Sequence, residues 1–240
     1  MMRTLPYFLL LLVVLSSCNF MGGRRVRGNG NSTTQTRNTG SFSSILVQGS
    51  MDVVLRSGSA TEVRVEADEN LHKYILTDTD GDVLVVRTRK NYNLQSRAGM
   101  KVYVTAPILN AIAISGSGTV ISVGKIMATN RLQVDVTGSG DVKLEVAAPE
   151  VSAEATGSGN IFLAGNTRNF NAEINGSGEV KCFNLMSENT NIAISGSGSA
   201  EVYASKQLDI SISGSGDVAY KGSPTIKQRI AGSGDVRSVQ

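Results

Sequence analysis

The chain has no tryptophan, one histidine, two cysteines and four prolines among its 240 residues, and aromatic side chains make up only 5%. Each shortage excludes something. Without tryptophan, a sugar-stacking platform has few aromatic faces to draw on. With His72 alone, outside the repeats described below and expected at the surface, no Ser/His/Asp set can be assembled. Cys18 and Cys182 are too few for a disulfide framework. A net charge of +3 gives no electrostatic footprint for nucleic acid. The apolar run from Tyr7 to Leu15 is too short to span a bilayer comfortably, and helical spacing is missing from the repeat segments.

Glycine, in contrast, is abundant and regular. Seven Gly-Ser-Gly triplets begin at Gly116, Gly138, Gly157, Gly176, Gly196, Gly214 and Gly232, at steps of 22, 19, 19, 20, 18 and 18 residues. A near-constant period is the mark of a solenoid in which each repeat forms one coil. The neighbours keep the register. Two positions before each triplet stand Ile114, Val136, Ala155, Ile174, Ile194, Ile212 and Ile230; four before stand Ile112, Val134, Ala153, Ala172, Ile192, Ile210 and the exception Gln228. Four after come Val120, Val142, Ile161, Val180, Ala200, Val218 and Val236. The residues between are mostly polar, and this period-2 alternation means strands with one buried face.

Each repeat therefore reads as strand, glycine corner, strand, turn. Parallel windings favour right-handed crossovers, so the expected fold is all-β: a right-handed single-stranded parallel β-helix of about seven coils plus an N-terminal β cap. At the usual strand spacing of ~4.8 Å the seven coils would stand roughly 30 Å tall. Outward at each corner is a serine, and Ser117, Ser139, Ser158, Ser177, Ser197, Ser215 and Ser233 should form a ladder up one edge. Cys182 falls at an inward position, as a small core residue.

Before the repeats, Ile45–Leu55 reads as a degenerate coil with Gly49 in the triplet position. Further strands are expected at Glu62–Ala67, Asp82–Thr88 and Lys101–Thr105, a turn at Thr79–Asp82, and one short helical turn at Glu69–Ile75. Residues 1–17 have the shape of a signal peptide and end in Leu15-Ser-Ser-Cys18. By resemblance to bacterial lipoproteins, Cys18 would be acylated and become the new N-terminus. Residues 18–40, rich in Gly, Asn, Ser and Thr, then read as a flexible lipidated tether whose arginines (Arg24, Arg25, Arg27, Arg37) either touch anionic head groups or only solubilise it. Residues 41–240 form the β-helix domain.

The runs Phe42–Leu55 and Val63–Leu71, with Gly81-Asp-Val-Leu-Val-Val, Val102-Tyr-Val-Thr-Ala-Pro and the Ile-Ser-Gly-Ser-Gly-Asp-Val repeats, resemble the auto-transporter adhesin head GIN domain family. The resemblance covers about residues 42–238. It implies a β-helical domain at the cell envelope, often lipoprotein-anchored, and supplies no catalytic residues to carry over.

Three positions after each triplet glycine lie Thr119, Asp141, Asn160, Glu179, Ser199, Asp217 and Asp235. Such a ladder could hold Ca²⁺, but the calcium-binding nonapeptide pattern is missing, and these residue types commonly bond turn amides. The capping reading is preferred, and no metal or cofactor is expected. The Gly-Ser-Gly corners lack the helix and lysine of a phosphate loop. The expected function is non-catalytic: a lipid-anchored protein, on the outer membrane, using the serine ladder with Asp141, Asp217 and Asp235 for adhesion or structural contact. Partners would be the membrane through the anchor and an envelope polymer, glycan or protein surface, with no nucleic acid; self-association through the last coil is open. The alternative is a polysaccharide-binding or polysaccharide-degrading β-helix.

Overall fold

The computed structural model describes residues 23–239. The signal peptide and Cys18 lie outside them. Every triplet corner joins two strands that belong to different sheets, so the chain winds as a β-solenoid with two parallel faces. The front sheet has ten strands. From the C-terminal end these are Thr225–Gly232, Gln207–Gly214, Asn189–Gly196, Asn169–Gly176, Glu150–Gly157, Arg131–Gly138, Ala111–Gly116, Ser44–Gly49, Val83–Thr88 and Ile75–Asp80. The back sheet has eleven and carries the strands that follow the corners, from Val236–Ser238 at one edge to Ser32–Arg37 at the other.

Register follows the triplets. Gly116 pairs with Gly138, Gly138 with Gly157, and so on to Gly214 with Gly232. At the other end Gly116 pairs with Gly49, so residues 44–57 are a full coil of the same type. The aliphatic ladders stack as the alternation requires, and Ile112, Val134, Ala153, Ile192, Val142, Ile161 and Val180 are fully buried. A second inward ladder runs six positions before the triplets through Leu132, Val151, Phe170, Thr190, Leu208 and Ile226. Sequence reading missed it, because Thr190 interrupts its apolar character. Thr190 is buried with Ser187, and both hydroxyls bond the Tyr203 carbonyl. Cys182 is wholly buried, and desolvation pushes its thiol up to about 12.

Corner geometry explains the glycines. At each corner the serine amide donates to the carbonyl of the preceding coil's first glycine, as Ser158 N does to Gly138 O at 2.8 Å. A Cβ on Gly157 would lie 2.5 Å from that same oxygen, and its φ is +112°. The second glycine of the triplet has no positive φ but equally little room: a Cβ on Gly159 would sit 2.4 Å from Gly140 O.

Two step lengths depart from the rest and become bulges. The 22-residue step places its surplus between Ile121 and Lys125. The 20-residue step opposes two residues, Cys182 and Phe183, to Leu163 alone.

The tether expectation fails over residues 24–37. Arg24–Arg27 pairs in parallel with Tyr92–Gln95, a strand not foreseen, and Ser32–Arg37 pairs antiparallel with Glu62–Asp68. The Thr-rich alternation of 32–37 completes an otherwise open sheet edge. Buried Asp68 fastens the connecting loop: burial alone would raise its pKa, but hydrogen bonds from Ser96 Oγ and from the Gly30, Arg97 and Ala98 amides hold it down at about 2. The helical turn is a 3-10 turn, Glu69–Tyr74. His72, expected at the surface, is only 3% exposed, because it closes the N-terminal end of the core beneath Ser32–Arg37. The C-terminal end is open: Ile226 and Ile230 are 36% and 38% exposed, with Gln228 between them.

Candidate functional site

The corner serines are positioned as the period requires. All seven are exposed, and their amides tie successive coils together, so the hydroxyls form one ladder along the front-to-back edge. The ladder three positions after the glycines behaves differently from the expected capping of its own turn. The corner amides there go to the preceding coil's glycine carbonyls, as Asp141 N does to Gly118 O at 3.1 Å. The side chains instead link adjacent coils. Asn160 Nδ2 donates to Asp141 Oδ1 at 2.8 Å, and Asp217 Oδ1 accepts from the Asp235 amide at 3.0 Å. From Thr119 to Asp217 acids alternate with neutral residues, which keeps like charges apart; only the last two rungs, Asp217 and Asp235, are adjacent acids. Among the described residues no group of three or more His, Cys, Asp or Glu side chains is arranged to hold a metal ion.

The structure adds a feature that sequence reading did not single out, on the outer face of the back sheet. Five positions after the glycines the outward ladder runs Val54, Ile121, Lys143, Phe162, Lys181, Glu201, Ala219 and Arg237. Its apolar start is exposed, with Ile121 and neighbouring Val123 at 38% and 47%. Midway, the bulge at Cys182–Phe183 turns Phe183 outward while Cys182 stays in the core. A groove of about 280 Å³ opens there, lined chiefly by Lys143, Phe162, Lys181, Phe183, Asn184 and Glu201.

Its electrostatics follow from the ladder. Lys181 Nζ bonds Glu179 Oε2 at 2.5 Å, which raises the lysine pKa, and stands 5.8 Å from the Phe162 ring centroid. Lys221 Nζ lies 5.3 Å over the Phe183 ring. Aromatic faces flanked by ammonium groups and a carboxylate give apolar contact together with donors and an acceptor. The only sequence sign of the groove was the single extra residue in the step from Gly176 to Gly196.

Fold and face together define a β-solenoid that carries regular ladders on its surface. The chain belongs to the family described as "Putative auto-transporter adhesin, head GIN domain", whose profile matches residues 41–224. Among solved structures it is similar to a putative lipid binding protein from Parabacteroides distasonis, at 28% identity and TM-score 0.76 over 90% of this chain and 100% of that one. A putative adhesin from Bacteroides fragilis aligns at 21% identity and TM-score 0.84, covering 89% and 100%. One from Parabacteroides merdae aligns at 25% and 0.70, covering 91% and 100%. No curated protein matches the chain.

Proposed function

We propose that this chain is a non-catalytic, lipid-anchored protein of the cell envelope that adheres through the outer face of its back sheet. The observation that carries the reading is the bulge-built groove of Phe162 and Phe183 among Lys143, Lys181 and Glu201. A solenoid offers such a ladder over many coils, so modest contacts add along a broad surface. The serine ladder, with Asp141, Asp217 and Asp235, forms its polar margin. The family description and the Leu15-Ser-Ser-Cys18 pattern support an envelope setting, with acylated Cys18 as the anchor to the outer membrane.

A cell line lacking the gene is expected to lose attachment to a surface or to its neighbours, and regain it with the wild-type chain; unchanged attachment overturns the adhesion reading. Radiolabelled palmitate should enter the wild-type chain and not Cys18→Ser. Protease shaving of intact cells assigns the periplasmic or outer face.

A second reading, glycan binding, is favoured by the same groove, since an aromatic ring bordered by lysines, an amide and a carboxylate suits a sugar. A glycan array probed with wild type and with Glu201→Ala in the groove separates the two: saturable, carboxylate-dependent binding to one glycan class selects this reading, and its absence selects the first.

A further inference from the structure

The N-terminal end of the solenoid carries a cleft that neither adhesion nor anchoring uses. Thr33, Gln35 and Arg37 sit opposite Ala67, Val65 and Val63, all three buried, so they occupy the core-facing side of the last back-sheet strand. The 3-10 turn closes over them, leaving a cleft of about 540 Å³ lined by Asn29, Gln35, Arg37, Glu69, Asn70, His72 and Lys73.

Arg37 is held there firmly. Its Nη2 donates to His72 O at 3.0 Å and faces His72 Nδ1 at 3.4 Å. The ring is fixed from its other side, where Nε2 donates to Thr33 O at 3.1 Å. Arg37 Nε, however, is buried and unpartnered, and no carboxylate among the described residues lies within salt-bridge distance of the guanidinium. Glu69, the one acid at the cleft, accepts from Asn31 Nδ2 at 3.1 Å. Capping a core end does not need a charge. At the open opposite end a neutral residue, Gln228, stands at the inward position between Ile226 and Ile230. Half-burying a cation without a counter-charge costs free energy that a neutral amide would avoid. Burial indeed lowers the Arg37 pKa, a cost that a bound anion would offset.

We propose that this cleft binds a phosphate group, with the Arg37 fork as its main contact and Lys73 and the amides of Gln35 and Asn29 around it. A planar guanidinium beside a mobile ammonium suits a tetrahedral oxyanion. The phosphate has two possible sources, a phospholipid head group and free phosphate. For the lipid source the proposal rests on the anchor reading. Six residue steps separate Cys18 from Arg24, a reach of roughly 20 Å, so an acylated Cys18 keeps the cap beside the head groups.

The test is an NMR titration of the acylated full chain in neutral detergent, following the ¹⁵N-labelled backbone amides of Asn70, His72 and residue 73 in every variant, together with the Arg37 Nε–H of the wild type. Inorganic phosphate and a short-chain phosphatidylglycerol are added separately. A saturable millimolar shift is expected, abolished in Arg37→Gln and weakened about threefold to fivefold in Lys73→Gln. Lys73 is exposed at the rim, so its variant decides the matter if Arg37→Gln fails to fold. Tighter binding of the lipid assigns the head group; equal or weaker binding assigns free phosphate. No shift with either ligand, or wild-type affinity in a folded Lys73→Gln, overturns the proposal. The titration involves no cells, so attachment left unchanged by loss of the gene, with phosphate binding intact, counts against the adhesion reading alone.

Discussion

Replacing Gly157 by alanine separates the two demands that a corner makes on its first residue. The first is conformational: φ is +112°, a region that side chains with a Cβ rarely enter, costing about 1–3 kcal/mol. The second is space. The new methyl would meet Gly138 O at 2.5 Å and Gly138 C and N at 3.3 Å, all backbone. That oxygen cannot swing aside freely, because it accepts the Ser158 amide at 2.8 Å, a bond worth about 1 kcal/mol. Together the terms predict a loss of about 3–5 kcal/mol, a large share of a typical ~5–15 kcal/mol. Gly49 supplies the control, since its φ is +98° but nothing lies within 4 Å of where a Cβ would stand. Gly49→Ala should lose only the conformational term. Gly159→Ala has the complementary problem, with Gly140 O at 2.4 Å and Val136 Cγ1 at 2.5 Å but no positive φ. Urea unfolding of the three variants, with slopes compared to confirm a common unfolded state, measures both terms. Equal losses at Gly157 and Gly49 would refute the argument that the coil below, and not φ alone, selects glycine.

Three further outcomes are expected. Asp68→Asn should destabilise the fold by about 1–2 kcal/mol at pH 7, since the buried carboxylate loses part of its hydrogen bonding. Because the folded-state pKa of about 2 lies below the unfolded one, this stability is present above pH ~4 and lost as pH falls towards 2, so acid unfolding curves of the two proteins should converge there. Cys182, buried and with its thiol held at about 12, should resist thiol reagents in the folded protein and react only as fast as the coil opens, checked by reagent uptake with and without urea. Gln228→Ile would complete the aliphatic ladder at the open end beside exposed Ile226 and Ile230, and light scattering should record self-association that the wild type lacks at the same concentration.

The repeating core was legible because corner and ladder carry the same information twice. The triplet fixes where the chain turns, and Ile114, Val136, Ala155 and Ile174 fix which face turns inward. Gly49 could be placed in the series without a triplet because Val53 and Leu55 kept the offsets. Strands built from Arg and Thr at 24–37 could not be read, since their partners, Tyr92–Gln95 and Glu62–Asp68, are distant in sequence and supply the edge that orders them. For that reason Arg37 looked like part of a tether and His72 like a surface residue. The serine ladder was foreseen; the groove was not. One extra residue between Gly176 and Gly196 shows that a bulge must exist, but only the pairing of Phe162 with Lys181 and Ala164 with Asn184 locates it at Phe183.

The adhesion face is tested most directly by returning the chain, as wild type or with Phe162→Ser and Phe183→Ser together, to cells lacking the gene and counting attached cells at matched envelope levels of protein. Both rings are only half-buried on the outer face, so folding should survive their loss. Attachment that falls to the level of the deletion strain is the predicted result; attachment equal to wild type contradicts it.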